Sequence, residues 1–226
     1  MKRDAVRTLF LDLDGPLLDV AERYHRLHRD LVLRRGGQPL AAAEYWELKR
    51  DRTPEEEILA RAGLSPGAAA AAAAAHRSRI ESRRYLRFDR PWAWTAPALD
   101  SLARLATPVL ITARRHRDRL LWQLARLGLE ERFESVLAGP GDGTPLSKAR
   151  LLLDSRLTWA PGSVLVGDSE VDIASGRALG LITVALDCGV RNAARLAACN
   201  PDLLLGDLRQ VAPRLAALGR GRAERR

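Results

Sequence analysis

The stretch Val6-Arg7-Thr8-Leu9-Phe10-Leu11-Asp12 decides the fold class of this chain. It is a short apolar run that ends in a carboxylate, a pattern typical of a parallel strand buried on both faces. Similar apolar runs recur further along, at residues 108–112, 135–138, 163–167, 181–185 and, more weakly, 202–205. Helical patterns, such as those at residues 117–127 and 169–179, lie between them. Strands that alternate with helices predict an α/β fold with a parallel sheet flanked by helices.

One segment interrupts this alternation. Between about residues 17 and 94 the sequence shows helical patterns and no strand pattern. Helices are predicted around residues 24–33, 41–49, 54–62 and 68–85, the third starting with Thr53 as N-cap and Glu56 three residues on. We therefore predict an inserted all-helical domain at residues 17–94 and a core domain formed by residues 1–16 and 95–226.

The composition excludes a disordered chain and sets expectations about location. The chain has 226 residues, of which 46% are hydrophobic, and no run approaches the roughly 20 apolar residues that a membrane span needs. Its start is charged, so we expect neither a membrane partner nor a secretory signal. Cys188 and Cys199 are too few for a disulfide framework, and we expect reduced thiols in a cytoplasmic protein.

The chain is strongly basic, with 37 Lys and Arg against 28 Asp and Glu and a net charge of +9. The arginines are spread along predicted helices and interleaved with acidic residues, as on a solvated face. We therefore expect no specific nucleic-acid partner. The one dense basic run is the tail at residues 219–226, which is expected to be a frayed terminus.

Polar side chains follow several of the predicted strands. In open parallel sheets, ligands bind at the carboxyl ends of the strands. Four carboxylates, one hydroxyl and one ammonium are predicted at or near those ends: Asp12, Asp14, Thr112, Lys148, Asp168 and Asp172. Carboxylate oxygens suit Mg²⁺, while a cation and a hydroxyl suit a bound phosphoryl group. A carboxylate beside Mg²⁺ can be a nucleophile that forms an aspartyl phosphate.

These residues stand in four motifs. Asp12-Leu13-Asp14-Gly15-Pro16-Leu17-Leu18-Asp19 resembles the first motif of the haloacid dehalogenase superfamily. Ile111-Thr112 is similar to the second, Lys148 to the third, and Gly167-Asp168-Ser169-Glu170-Val171-Asp172 to the acidic fourth. All four occur in the family's order, so the resemblance covers nearly the whole chain. It implies a Rossmann-like core, and the helical insert is similar to the type-one helical cap of the phosphoglycolate-phosphatase-like branch.

The resemblance also implies catalytic roles. Asp12 would attack phosphorus in line and form the covalent intermediate. Asp14 would protonate the leaving alcohol and then deprotonate the water that hydrolyses the intermediate. Thr112 and Lys148 would bind the phosphoryl oxygens and neutralise charge in the transition state.

The same resemblance implies a metal site. Mg²⁺ would be held by the Asp12 carboxylate, the backbone carbonyl of Asp14 and the Asp168 carboxylate. Asp172 would act through a water or by orienting Lys148. The family's commonest first motif has Thr where this chain has Pro16, whose fixed φ suits a helix entry, and we expect activity to survive this departure.

Cationic side chains are candidates for substrate selection. Lys49, Arg50 and Arg52 lie at the end of a predicted helix, where they would grip an anionic part of the substrate or simply complement the helix dipole. Arg114 follows Thr112 closely and would contact substrate or lie at an exposed helix start. Arg23 follows the first motif closely and could also line the entrance to the site, but packing or a surface position is the favoured interpretation.

The sequence as a whole predicts a Mg²⁺-dependent phosphatase. It would hydrolyse a small phosphorylated metabolite, phosphoglycolate-like or a sugar phosphate, through an aspartyl phosphate, as a monomer or homodimer. Three alternatives stay open at this point: a phosphomutase similar to β-phosphoglucomutase, a catalytically silent binding protein on the same scaffold, and a nucleic-acid-binding protein.

Overall fold

A computed structural model gives the fold, and it describes residues 7–141 and 144–223. The described residues contain eight strands: β1 (Thr8–Leu11), β2 (Leu18–Asp19), β3 (Arg90–Pro91), β4 (Thr107–Thr112), β5 (Ser135–Ala138), β6 (Val164–Gly167), β7 (Ile182–Leu186) and β8 (Leu203–Leu205). Six of them form one sheet in the order β5-β4-β1-β6-β7-β8, and every neighbouring pair is parallel. The predicted α/β class and the parallel sheet are confirmed.

Helices connect these strands. In the same part of the chain they are α1 (Ala21–Leu33), α2 (Ala42–Arg50), α3 (Glu55–Arg61), α4 (Pro66–Arg79), α5 (Arg83–Leu86), α6 (Thr95–Ala103), α7 (Arg117–Arg126), α8 (Ser147–Asp154), α9 (Glu170–Ala178), α10 (Ala193–Ala198) and α11 (Val211–Ala223). Short 3₁₀ turns lie at Glu130–Arg132 and Leu208–Gln210.

The sheet buries both of its faces, which explains the continuous apolar character of β1. Side chains alternate along a strand, so Leu9 and Leu11 point to one face and Phe10 to the other. Leu9 and Leu11 belong to a cluster that includes Leu99 of α6, whereas Phe10 packs edge-on against the Trp159 ring at 5.8 Å. All three β1 side chains are fully buried. Apolar layers on both faces leave the strand ends as the place for polar side chains.

Helices α1 to α5 occupy most of the insert and have an apolar cluster of their own. Leu27 and Leu31 of α1 pack there with Ala72 and Ala73 of α4. The chain leaves and re-enters the core side by side, because β2 and β3 pair as a two-stranded antiparallel ribbon. The sequence predicted no strand between residues 17 and 94, and this was wrong because a two-residue strand shows no periodicity. The domain division at residues 16/17 and 94/95 stays a prediction.

Two further local predictions were wrong. Thr53 does not cap α3, because Pro54 holds the N-cap position in an extended conformation without a side-chain cap bond. The helix predicted at residues 68–85 breaks after Arg79 and restarts at Arg83. In the break, the Glu81 carboxylate accepts hydrogen bonds from the backbone N–H groups of Arg115 and His116, at 2.9 and 3.2 Å. This contact with the core competes with a continuous helix.

Some predicted features fall beyond the described part of the chain. Residues 1–6 of the predicted core and residues 224–226 of the predicted tail lie outside it, while the backbone of α11 runs through residues 219–223. No helix within residues 7–141 and 144–223 is both long enough and apolar enough to cross a membrane. Cys188 and Cys199 are free cysteines, as expected.

Candidate active site

A cavity of about 550 Å³ lies at the carboxyl ends of β1, β4 and β6 and is bounded on the opposite side by residues of the helical insert. Eight of the ten residues predicted for the site line this cavity: Asp12, Asp14, Lys49, Arg52, Thr112, Arg114, Lys148 and Asp168. Asp172 and Arg50 lie outside the lining. The predicted side chains therefore lie together at the carboxyl ends of the parallel strands, where ligands bind in sheets of this kind.

Asp12 lies at the floor of this cavity, directly after β1. Its backbone N–H donates to the carbonyl of Val166 at 2.9 Å, which continues the sheet pairing one residue beyond the strand. Its side chain is only 10% exposed, and Lys148 Nζ lies 2.8 Å from its Oδ1. Lys148 stands in the first turn of α8 and is buried. A buried carboxylate is thus held beside a buried ammonium.

Asp172 ties Lys148 to helix α9. Its Oδ1 accepts from Lys148 Nζ at 2.5 Å, while its Oδ2 accepts from the backbone N–H and the hydroxyl of Ser169, at 3.1 and 2.5 Å. Ser169 and Asp172 form the capping box that starts α9. Both oxygens of Asp172 are therefore engaged by protein donors, an arrangement that orients Lys148.

Asp168 is enclosed by backbone and, unlike Asp172, has one oxygen without a hydrogen-bond partner among the described residues. Its Oδ2 accepts from the backbone N–H of Val190 at 2.5 Å, but its Oδ1 is buried and has no hydrogen-bond partner among the described residues. Gly15, at φ +100°, and Gly189 press against this carboxylate, and a Cβ at either position would collide with it. The two glycines let the backbone pass a charged group at close range.

These four side chains, Asp12, Lys148, Asp168 and Asp172, form what we call the carboxylate cluster. Asp12, Asp168 and Asp172 can each place one oxygen within 4.8 Å of the others, so a divalent cation fits between them. Burial is the main cause that raises the pKa of Asp12 to about 7, and burial together with Asp12 and Asp172 raises the pKa of Asp168 well above its usual value. With three carboxylates against one ammonium and an unpartnered Asp168 oxygen, the cluster suits an added cation.

Asp14 belongs to a second buried cluster. Arg114 grips it with two donors, Nε to Oδ2 at 2.9 Å and Nη2 to Oδ1 at 2.7 Å, and Arg23 Nη2 donates to Oδ2 at 3.0 Å. Asp89 Oδ2 faces the same arginines, 3.1 Å from Arg23 Nη1 and 3.5 Å from Arg114 Nη2. Gln123 Nε2 donates to Asp89 Oδ2 at 2.6 Å. We call these five residues the guanidinium network.

The guanidinium network is balanced in charge, with two arginines and two aspartates. Burial alone would raise the pKa of Asp14, but Arg114 and Arg23 outweigh burial and hold that pKa well below its usual value. Burial would likewise lower the pKa of Arg23, yet Asp14 and Asp89 raise it. For Asp89 burial prevails and raises the pKa to about 6. Asp14 is therefore a carboxylate with its charge compensated.

Comparisons with known proteins identify the family. A model described as HAD-hydrolase-like matches residues 148–211. A phosphoglycolate phosphatase of Synechococcus elongatus is 31% identical over 227 residues, which cover 93% of this chain and 99% of that protein. The chain belongs to the haloacid dehalogenase superfamily. It is a phosphatase of the phosphoglycolate-phosphatase-like branch, and a phosphoglycolate phosphatase of Rhodobacter capsulatus is also similar, at 27% identity over 81% of this chain and 85% of that protein.

Solved structures with the same fold are also found. A hydrolase of the haloacid dehalogenase-like family from Streptococcus pneumoniae superposes with a TM-score of 0.70 at 20% identity, covering 91% of this chain and 96% of that chain. The Rossmann-like core expected of the superfamily is thereby confirmed.

Two predicted cap residues of this phosphatase face the cavity with their charges partly compensated. Lys49 Nζ is 3.1 Å from Glu55 Oε2, and Arg52 Nε is 2.8 Å from Glu170 Oε1. The Arg52 side chain is 65% exposed, so solvent screens this pair. Both cations line the same cavity as Asp12, Lys148 and Asp168.

Arg50 has a different environment. Its Nη2 donates to the backbone carbonyls of Asp187 and Arg191, and its own carbonyl accepts from the backbone N–H of Asn192 at 3.2 Å. These contacts fasten the end of α2 to the core loop that follows β7.

Sequence reasoning gave no site role to three residues. His76 lines the cavity, and Asp89 and Gln123 lie behind Arg114. Arg23 also lines the cavity, which was the less favoured of its two interpretations; it precedes Leu27 and Leu31 at spacings of four residues, on the buried face of α1. A charged residue on such a face needs a buried partner.

Proposed function

We propose that this phosphatase is Mg²⁺-dependent and hydrolyses a small phosphomonoester, phosphoglycolate-like or a sugar phosphate, through an aspartyl phosphate on Asp12. The observation that carries the proposal is the carboxylate cluster at the floor of the cavity. It offers a buried carboxylate beside a buried ammonium and an oxygen of Asp168 without a partner. The names of the two similar phosphoglycolate phosphatases support the substrate class.

The carboxylates of Asp12 and Asp168 and the backbone carbonyl of Asp14 would hold the metal. Asp172 is engaged by Lys148 and Ser169, which favours an orienting role for it. When bound, Mg²⁺ supplies positive charge that favours ionised Asp12 and stabilises the phosphoryl oxygens.

The side chains around the cavity divide the reaction between them. An Asp12 oxygen attacks phosphorus, and the bond from phosphorus to the alcohol oxygen breaks. Lys148 and Thr112 bind the phosphoryl oxygens and neutralise their charge. Asp14 in its protonated form gives a proton to the leaving oxygen and becomes a carboxylate. In the second step this carboxylate takes a proton from the water that attacks phosphorus and releases phosphate from Asp12.

Lys49 and Arg52, which line the cavity, are our candidates for contacts with the rest of the substrate, whereas the Nε and Nη2 donors of Arg114 are engaged by Asp14. Arg50 was predicted with them, but its contacts favour a role in fastening the insert to the core. The cytoplasmic location, the monomeric or dimeric state and the absence of a nucleic-acid partner stay predictions, as does the expected tolerance of Pro16.

The first test is hydrolysis of phosphoglycolate and of an aryl phosphate, with Mg²⁺ and with EDTA. We expect Mg²⁺-dependent release of phosphate, and a loss of at least about 1,000-fold in kcat for Asp12→Asn, because the nucleophile is removed. Asp118→Asn, a change at an exposed carboxylate of α7, is the matched control and should leave kcat unchanged.

Two results would contradict the proposal. Turnover that survives both EDTA and Asp12→Asn would exclude this nucleophile and this metal. Interconversion of sugar-phosphate isomers without release of phosphate would identify a phosphomutase in its place.

A further inference from the structure

The guanidinium network leaves the Asp14 carboxylate little freedom. An ionised carboxylate has about four acceptor positions, two on each oxygen. Arg114 Nε and Arg23 Nη2 take both positions of Oδ2, and Arg114 Nη2 takes one position of Oδ1. Among the described residues no other donor to Asp14 is present, so one acceptor position of Oδ1 stays open. The side chain of Asp14 is 21% exposed, toward the cavity that it lines.

The two arginines are themselves fixed from behind. Arg114 is 5% exposed and Arg23 1% exposed, and both face Asp89, which is fully buried. Gln123 holds Asp89 with Nε2 at 2.6 Å and lies 3.4 Å from Arg114 through Oε1. The same Gln123 amide donates to the carbonyl of Leu86 at 3.1 Å. Buried, mutually bonded groups of this kind have few alternative rotamers.

The network also joins the two places where the chain passes between core and insert. Arg23 stands in the first turn of α1, shortly after β2, and Asp89 directly precedes β3. Arg114 comes from the loop after β4, and Gln123 from α7. Asp14 is thus held directly by Arg23 from the first crossing and by Arg114 from the core, while Asp89 at the second crossing faces both arginines.

We propose that Arg114 and Arg23 are positioning residues for Asp14, which turn its Oδ1 toward the substrate and leave that oxygen as the atom that exchanges a proton with the leaving group. This inference rests on the acid–base role proposed for Asp14. It assigns Arg114 a different task from the substrate contact considered above, because its Nε and Nη2 donors are already engaged by Asp14. A bidentate fork fixes the plane of a carboxylate as well as its place.

A double-mutant cycle tests the proposal with two substrates. Phosphoglycolate has a poor leaving group that needs a proton, whereas the leaving group of 2,4-dinitrophenyl phosphate needs none. For Arg114→Ala we expect kcat on phosphoglycolate to fall about 100-fold, the scale of a misplaced general acid, with KM changed less than about twofold. The first-turnover release of dinitrophenolate should fall less than about threefold, since attack by Asp12 is unaffected.

The Asp14→Asn background shows whether Arg114 acts through Asp14. There, Arg114→Ala should change the first-turnover rate less than about threefold, because coupled residues are not additive. Arg114→Lys should give an intermediate kcat on phosphoglycolate, because an ammonium restores the charge without the two-donor fork. It also provides a variant that keeps the buried charge, should Arg114→Ala fail to fold. Arg132→Ala, which breaks a pair with Asp100 away from the cavity, is the control.

Several outcomes would overturn the proposal. A raised KM with unchanged kcat, in both the wild-type and Asp14→Asn backgrounds, would make Arg114 a substrate-binding residue. Full recovery by Arg114→Lys would reduce its role to charge, and an increase in kcat for Arg114→Ala would make the network inhibitory. If the wild type hydrolyses neither ester, or if Asp12→Asn is fully active, it is the proposed function that fails, and this result differs from an active enzyme that is indifferent to Arg114.

Discussion

Two buried ionic clusters flank Leu13, and they solve the problem of buried charge in different ways. The guanidinium network pairs two arginines with two aspartates, so each charge has an opposite charge within 3.5 Å. The carboxylate cluster sets three carboxylates against the single ammonium of Lys148. Uncompensated charge is costly in a protein interior, so the second cluster is incomplete by itself.

The difference separates two tasks that meet at one loop. The balanced cluster can fix a side chain with the protein's own groups, which suits the orientation of Asp14. The carboxylate cluster keeps an excess of negative charge, which suits the binding of a metal cation. It also holds the Lys148 ammonium, which suits the binding of a phosphoryl group. Asp12 and Asp14 are two residues apart, yet the pKa of Asp12 is raised to about 7 and that of Asp14 is lowered.

The largest expected effect comes from a substitution that makes the carboxylate cluster still more negative. Lys148→Met removes the only ammonium that the described residues place against the three buried carboxylates, and we expect the free energy of unfolding in EDTA to fall by about 5 kcal/mol. Urea unfolding measures this loss. Adding Mg²⁺ should then stabilise the variant by about 1 kcal/mol more than it stabilises the wild type, because the cation meets more negative charge.

Arg23→Met is the matched change in the guanidinium network. It should lower the free energy of unfolding by about 3 kcal/mol, since one arginine remains to face Asp14 and Asp89. Mg²⁺ should stabilise this variant no more than the wild type. If Mg²⁺ gave both variants the same extra stabilisation, the metal would sense the total charge of both clusters. The distinction between the two clusters would then be wrong.

The carboxylate cluster could be predicted from sequence because a parallel sheet brings the residues that follow its strands to one edge. Asp12, Thr112 and Asp168 each follow an apolar run, and neighbouring strands bring their carboxyl ends to one edge. The α/β class followed from the same runs, and the helical insert from their absence. Lys148 came from its place at the start of a helix behind β5.

The guanidinium network could not be predicted in the same way. Asp89 and Arg23 meet because β2 and β3 pair, and two-residue strands leave no periodic trace in the sequence. Gln123 did leave a sign, since it lies beside Leu120 and Leu124 on the buried face of α7. A polar residue on an apolar stripe indicates a buried partner but does not name it. Only the tertiary structure shows that the partner is Asp89.

A smaller effect is expected in the helical insert, where the titration of His76 lowers stability as pH falls. Burial lowers the pKa of His76 to about 4, although Glu55 nearby opposes this shift. The unfolded chain, with a pKa of about 6.5, takes up the proton first as pH falls, so this contribution to stability is full above pH 6.5 and is lost toward pH 4. The loss amounts to about 1.4 kcal/mol per pH unit for one group.

His76→Gln should therefore flatten the decline of stability between pH 6.5 and 4, measured by urea unfolding across that range. His116→Gln, outside the insert, is the control. An unchanged slope in His76→Gln would show that His76 does not cause the loss of stability in this window. Asp12 and Asp89 cannot replace it as the cause, because their raised pKa values let the folded state take up protons first and so add stability as pH falls.

The smallest expected effect tests whether balanced charge is enough to hold the guanidinium network together. Gln123→Leu keeps the approximate volume but removes the hydrogen bonds to Asp89 Oδ2 and to the carbonyl of Leu86. Because both arginines still face Asp89, we expect a loss of about 1 kcal/mol in urea unfolding, against no loss for the exposed Gln38→Leu. A loss as large as that of Arg23→Met would show that the amide, and not the pairing of charges, sets the geometry around Asp14.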